Sequence, residues 1–212
     1  MPVDPLDREA ARRIVRTGYD DASVNYTRFR LTHIEHEVAE LLAELTALAP
    51  GGKLLDVGCG GGVLARSLTD RFQIIGVDVS IEQLRLARQI AREARYVCQD
   101  MVTLTFPDGF FDAVCAVWAI IHVPREDHAS LLANFHRMLR PGGVALLSFG
   151  RTDYEGTENF FGGDIFWSHY DRDTSIGLVE AAEFEILRVV DVDDRPAAGT
   201  APFVLARHPA IA

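Results

Sequence analysis

Residues 56–62 read Asp56-Val57-Gly58-Cys59-Gly60-Gly61-Gly62. A short apolar run, residues 53–57, leads into them, and residues 63–71 follow with helical spacing. A strand joined to a helix through a glycine-rich turn is the opening of a βαβ unit. Glycine lets the backbone bend sharply at such a turn and lets a ligand come close to the chain.

The alternation continues downstream. Residues 73–77, 96–98, 112–118 and 144–149 read as strands, with 112–118 almost wholly apolar, as a strand buried on both faces should be. Residues 80–92 read as a helix whose start, Ser80-x-x-Gln83, has the form of a capping box. Residues 125–139 read as a helix closed by Pro141-Gly142-Gly143. Strands alternating with helices give an α/β fold with a parallel sheet covered on both faces.

Upstream, residues 5–17 read as a short polar helix starting at Pro5. Residues 31–48 read as an amphipathic helix with Thr32 as its N-cap, ended by Pro50-Gly51-Gly52. The last third is less regular. Residues 151–173 read as a long loop with a short helix, 174–182 as a helix, and 185–192 and 203–207 as strands joined by a polar turn over 193–202. The expected organisation is one domain over 1–212: a helical cap (1–48), a cofactor half (49–150), and a lid with closing strands (151–212).

Three acids sit at strand ends. Asp56, Asp78 and Asp100 are each 22 residues apart, one strand-helix unit, so a regular repeat brings them to one edge of the sheet. Ligands of open α/β sheets bind at that edge. Asp78 is placed to accept from ribose hydroxyls. A dinucleotide fingerprint G-x-G-x-x-G would need a third glycine where Val63 stands, and Asp56 would repel a pyrophosphate. No Gly-Lys-Ser/Thr follows the turn, which excludes a P-loop. The ligand therefore carries a ribose and a positive group near the glycine turn, and no phosphate. S-adenosylmethionine (SAM) meets these demands.

On these residues the chain resembles the class I SAM-dependent methyltransferases, in particular their ubiquinone/menaquinone-type small-molecule group. The matching stretches are LLDVGCGGG (54–62), IIGVDVS (74–80), YVCQDM (96–101), LTFPDGFFDAVCAVWAIIHV (104–123) and LRPGGVALLSF (139–149), in order over about the middle half of the chain. The resemblance implies a three-layer Rossmann-like fold whose seven-stranded sheet is mostly parallel with an antiparallel last strand. It implies that Asp56, Gly58 and Gly60 surround the methionine part of SAM and that Ala116 and Val117 lie under its amino group. Asp78 would hold the ribose with Val79 beside it, and Asp100 and Met101 would meet the adenine. A tyrosine of the N-terminal segment closes over the cofactor in many relatives; Tyr26 is the better candidate here and Tyr19 the other.

The implied reaction is in-line displacement at the sulfonium methyl, delivering it to an O or N atom of a small-molecule acceptor and leaving S-adenosylhomocysteine (SAH). The sulfonium is a good leaving group, so alignment does most of the work. A base is needed only where the nucleophile must lose a proton. His122, after the fourth strand, and His169 are the base candidates. Trp118, His122, Trp167, His169 and Tyr170 are candidates for the acceptor wall. The bland alternatives are a helix-start histidine for His122 and core packing for the tryptophans.

The chain has 212 residues, 21 basic and 31 acidic, for a net charge of −10, which disfavours a nucleic acid or an anionic membrane as main partner. Cys59, Cys98 and Cys115 make no disulfide framework, and no Cys/His cluster suggests a metal. Met1-Pro2-Val3-Asp4 does not open a signal peptide. The expectation is a soluble cytoplasmic enzyme, a monomer or homodimer. Its rivals are a SAM-binding module without turnover and an NAD(P)-dependent oxidoreductase.

Overall fold

A computed structural model describes residues 7–49, 51–193 and 199–210. Pro5, Pro50 and part of the polar turn expected over 193–202 lie outside the described residues.

Seven strands form one sheet: β1 (Gly52–Val57), β2 (Phe72–Asp78), β3 (Arg95–Cys98), β4 (Phe111–Ala116), β5 (Leu139–Ser148), β8 (Glu185–Asp193) and β9 (Thr200–Arg207). Their order is β3-β2-β1-β4-β5-β9-β8. The first five pair in parallel, and β9 runs antiparallel between β5 and β8. This is the expected α/β Rossmann-like sheet, with only the last strand reversed.

The period-two alternation of the central strands divides the core. Leu55, Val114, Ala145 and Val204 face α5 (His128–Met138) and α6 (Arg172–Ala181). Leu54, Ala113, Leu146 and Leu205 face α2 (His36–Leu48) and α3 (Val63–Leu68). A strand buried on both faces has no polar positions to spare. α4 (Ile81–Ile90) starts as read, with Ser80 Oγ accepting from the Gln83 backbone N–H. The reciprocal half of the capping box is missing, because Gln83 Oε1 instead accepts from the Thr27 hydroxyl.

Three readings are corrected. First, α1 is one helix, Arg8–Thr32, not a short one ending at residue 17. Its buried stripe is Ala11, Val15, Gly18, Ala22, Ser23 and Thr27, small or polar residues that carry little hydrophobic period. Thr32 ends this helix rather than capping the next: its hydroxyl donates to the carbonyls of Arg28 and Phe29. Second, residues 151–173 are not a loop but mostly a hairpin, β6 (Tyr154–Phe160) paired with β7 (Gly163–His169). Its two turn residues, Phe161 and Gly162, both have positive φ (54° and 97°), the requirement of a type I′ turn. Third, Pro141-Gly142-Gly143 does not separate helix from strand. β5 already starts at Leu139 opposite Phe111, and the three residues fill the irregularity before Val144 pairs with Ala113.

Candidate active site

The three acids reach the same edge, as the 22-residue spacing requires. Asp56 lies in β1 opposite Gly76 and Cys115, Asp78 ends β2, and Asp100 follows β3. The glycine turn closes on β2 through Gly58 and Cys59 N–H groups, which both donate to Val77 O (2.8 and 3.0 Å). Gly58 has φ +66°, and an added Cβ would overlap the Ala119 side chain. Gly60 has φ +50°, a backbone angle that favours glycine, and a Cβ there would meet Gln83 Oε1 at 3.7 Å and the Tyr26 ring at 4.0 Å. Asp78 accepts from Gly60 N–H (2.8 Å) and Ser80 N–H (2.9 Å). Burial raises its pKa to about 6 against the pull of these bonds. Asp56 is buried, and its Oδ2 has no hydrogen-bond partner among the described residues. Burial, and then the charge of Asp78, push its pKa up to about 7.

Two adjoining clefts open here, each volume counting the space open to solvent. The first, about 700 Å³, is lined by Tyr26, Gly58, Gly60, Asp78, Val79, Asp100, Met101, Trp118 and His122 among others. The second, about 650 Å³, is lined by Asp56 and Val117 and shares Tyr26, Gly58, Gly60 and Trp118 with the first. Of the residues singled out in the sequence, Ala116 is buried in the core beside them, and Trp167, His169 and Tyr170 lie on neither wall.

His122 is buried, and burial lowers its pKa to about 4, so it is neutral at pH 7. Its Nδ1 lies 2.9 Å from Phe166 O; a carbonyl only accepts, so Nδ1 carries the proton. Nε2 is then an acceptor and takes the Tyr19 hydroxyl at 2.8 Å. Trp167 packs on the His122 ring (centroids 4.5 Å apart), away from the cavity. His169 donates from Nδ1 to Thr152 O at 2.6 Å, and Tyr170 lies under the Arg125 guanidinium.

Helix α1 roofs both cavities. Arg12, Tyr19 and Tyr26 are seven residues apart and Arg30 four further, so one helix face carries them all. Arg12 Nε lies 3.1 Å from Asp100 Oδ2 and its Nη2 3.3 Å from Asp127 Oδ2. Asp20 accepts from the Ser80 hydroxyl at 2.6 Å. The sequence reading missed Arg12 and Arg30. The heptad spacing was the available signal, but it has meaning only on an unbroken helix. Among the described residues no cluster of His, Cys, Asp or Glu could hold a metal ion.

Residues 55–147, the stretch that builds this edge, match the family model described as a methyltransferase domain. That stretch is similar to the methyltransferase domain, and the fold around it is the Rossmann-like methyltransferase fold. Over 138 residues the chain is 33% identical to 2-methyl-6-phytyl-1,4-hydroquinone methyltransferase of Synechocystis sp., covering 59% of this chain and 43% of the relative. Over 131 residues it is 32% identical to phosphoethanolamine N-methyltransferase of Triticum aestivum, covering 58% and 26%. The chain thus spans less than half the length of either relative. The methyltransferase fold extends over nearly the whole chain in one solved structure, the Burkholderia thailandensis 1,6-didemethyltoxoflavin-N1-methyltransferase with bound 1,6-didemethyltoxoflavin and SAH. It has a TM-score of 0.76 at 20% identity and covers 99% of this chain and 93% of that one.

Proposed function

We propose that this chain transfers the methyl group of SAM to an oxygen or nitrogen atom of a small-molecule acceptor. The observation that carries the reading is the buried Asp56, whose Oδ2 has no hydrogen-bond partner among the described residues, on the cavity that Gly58 and Gly60 also line. It suits an ammonium and repels a phosphate, which sets SAM apart from a dinucleotide. Asp78, already held by two backbone N–H groups, keeps lone pairs for ribose hydroxyls. Asp100 and Met101 meet the adenine, with Val79 on the same wall, and Val117 flanks the methionine end, with Ala116 beneath it. When bound, SAM supplies an electrophilic methyl on a sulfonium leaving group.

The chain's own residues then align and shield. Tyr26, supported by Tyr19, Phe160 and Phe161 at centroid distances of 5.5–5.8 Å, closes the roof where the two cavities meet. For an acceptor that must lose a proton, the Tyr19 oxygen takes that proton while Tyr19 passes its own to His122 Nε2. Phe166 O and Trp167 hold the imidazole in the required tautomer and position. Trp118 stands nearest the acceptor in this reading, whereas His169 and Tyr170 would reach it only through movement of the hairpin β6–β7. The relatives that act on a hydroquinone and on phosphoethanolamine support a small acceptor, and the three free thiols suit a reducing cytoplasm.

Titration calorimetry with SAM, SAH and NADH tests the reading. SAM and SAH are expected to bind, NADH is not, and Asp78→Ala should weaken SAH by roughly 10–100-fold through loss of charged hydrogen bonds. NADH binding without SAH binding would sink it. SAH binding without SAH release from SAM over quinol, phenol and amine acceptors would favour a binding module.

A further inference from the structure

Two residues that line the second cavity each carry a buried polar atom with no hydrogen-bond partner among the described residues. One is Asp56 Oδ2, an acceptor; the other is Trp118 Nε1–H, a donor. Burying an unpaired donor or acceptor is unfavourable, and native proteins keep few of them away from ligand sites. Trp118 carries a second mark. Its φ is +55°, a left-handed conformation that a bulky L residue rarely adopts. Such strain persists where neighbours enforce it, and it gathers at binding sites. Here the Trp118 backbone N–H donates to Ser148 Oγ at 2.6 Å, and the indole meets Phe203 edge-on at 5.0 Å. The strained backbone thereby sets the indole on the wall common to both cavities. The Arg30 guanidinium lines the second cavity too, with its side chain only 14% exposed. Two of its N–H groups are bound by Glu35 at 2.8 and 3.2 Å, and a guanidinium has five.

An unpaired carboxylate oxygen, an unpaired indole N–H and a guanidinium around one cavity are the complement of an α-amino-acid zwitterion. We propose that Trp118 is a specificity-determining donor: its indole N–H, with Arg30, receives the carboxylate of an amino-acid moiety whose ammonium faces Asp56. The inference rests on SAM being the cofactor, since its methionine end is such a moiety, and it assigns that end a residue outside the glycine turn. Trp118 then anchors the cofactor from the side on which the acceptor must enter, so one side chain couples the two.

The test compares SAH with 5′-methylthioadenosine, which keeps the adenosyl thioether and lacks the amino acid. In calorimetry on the full chain, Trp118→Phe should weaken SAH about tenfold, the loss of one charged hydrogen bond, and change 5′-methylthioadenosine by no more than about twofold. A second readout leaves Trp118 itself unaltered and reads binding only. The chain has two tryptophans, so in Trp167→Phe the emission comes from Trp118 alone. SAH should shift that emission and 5′-methylthioadenosine should not. If Trp118→Phe weakens both ligands equally or neither, or if both ligands shift the emission alike, the assignment of Trp118 is overturned while the cofactor reading stands. That result would also follow if the cavity received an amino-acid acceptor instead. If the native chain binds neither ligand, both fall.

Discussion

Asp56 is the most informative side chain because its environment opposes its charge. Its pKa is raised from the ordinary carboxylate range to about 7, so the folded chain binds that proton more tightly than the unfolded chain does. Between pH 4 and 7 this group makes stability fall as pH rises. Asp56→Asn should therefore match the native chain near pH 4 and exceed its stability by of order 1–4 kcal/mol above pH 7, read from paired urea melts across pH. The same variant should bind SAH more weakly at pH 8, because the ammonium loses its partner. A pH-independent stability difference would contradict the burial argument. His122 has the opposite sign: with its pKa lowered to about 4, its contribution is present above pH 6.5 and is lost as pH falls toward 4. Tyr19→Phe should leave SAH affinity within about twofold and slow transfer to an O–H acceptor by roughly 100-fold, the usual contribution of a proton-transfer group. Equal rates for the two proteins would remove Tyr19 from the proton path. The acids and the glycine turn were legible because their place at one sheet edge follows from position along a repeating βαβ chain. The partners of His122 were not, since Tyr19 and Phe166 are distant in sequence and meet it only in the fold.

The same contrast holds for elements. β1 to β5 and their helices announce themselves by apolar runs and glycine stops. α1 does not, because the face it buries must be thin. An added Cβ on Gly18 would overlap the carbonyl of Asp164, and one on Gly163 would overlap that of Gly18. The helix and β7 touch backbone to backbone. Gly18→Ala should thus destabilise by about 1–3 kcal/mol, despite a gain of roughly 1 kcal/mol in helix propensity, and SAH binding should weaken with it. A more stable variant with unchanged binding would mean that α1 does not hold the roof. The hairpin β6–β7 escaped for a related reason. Its type I′ turn uses Phe161-Gly162 rather than the usual Asn-Gly, and Phe161 tolerates positive φ where it packs against Tyr26 and Phe29.

In the molecule as a whole, a two-sided core supports a ligand edge whose roof, α1, is tied down by a small apolar cluster of Ala11 and Val15 with Phe166 and by polar contacts: Arg12 to Asp100 and Asp127, Tyr19 to His122, Asp20 to Ser80, Thr27 to Gln83. Such a segment opens at lower free energy than the central strands. SAH at 100 times its Kd should raise stability by about 2.7 kcal/mol, or roughly 5–10 °C in Tm for a chain of this size. Hydrogen exchange should show the gain first in α1; protection appearing only in β1 and β4 would argue against α1 as the roof. The sequence by itself determined the parallel sheet and the three acids on one edge, because hydrophobic period and strand-helix spacing are local quantities that a regular topology converts directly into position; the reversed last strand was implied only by the family resemblance. Only the tertiary structure decided the single long α1, the hairpin, the Tyr19–His122 pair and the unpaired Trp118 N–H. Each of these depends on which distant backbone comes close, and small residues, hydrogen-bond partners and strained φ values acquire their meaning only once that neighbour is in place.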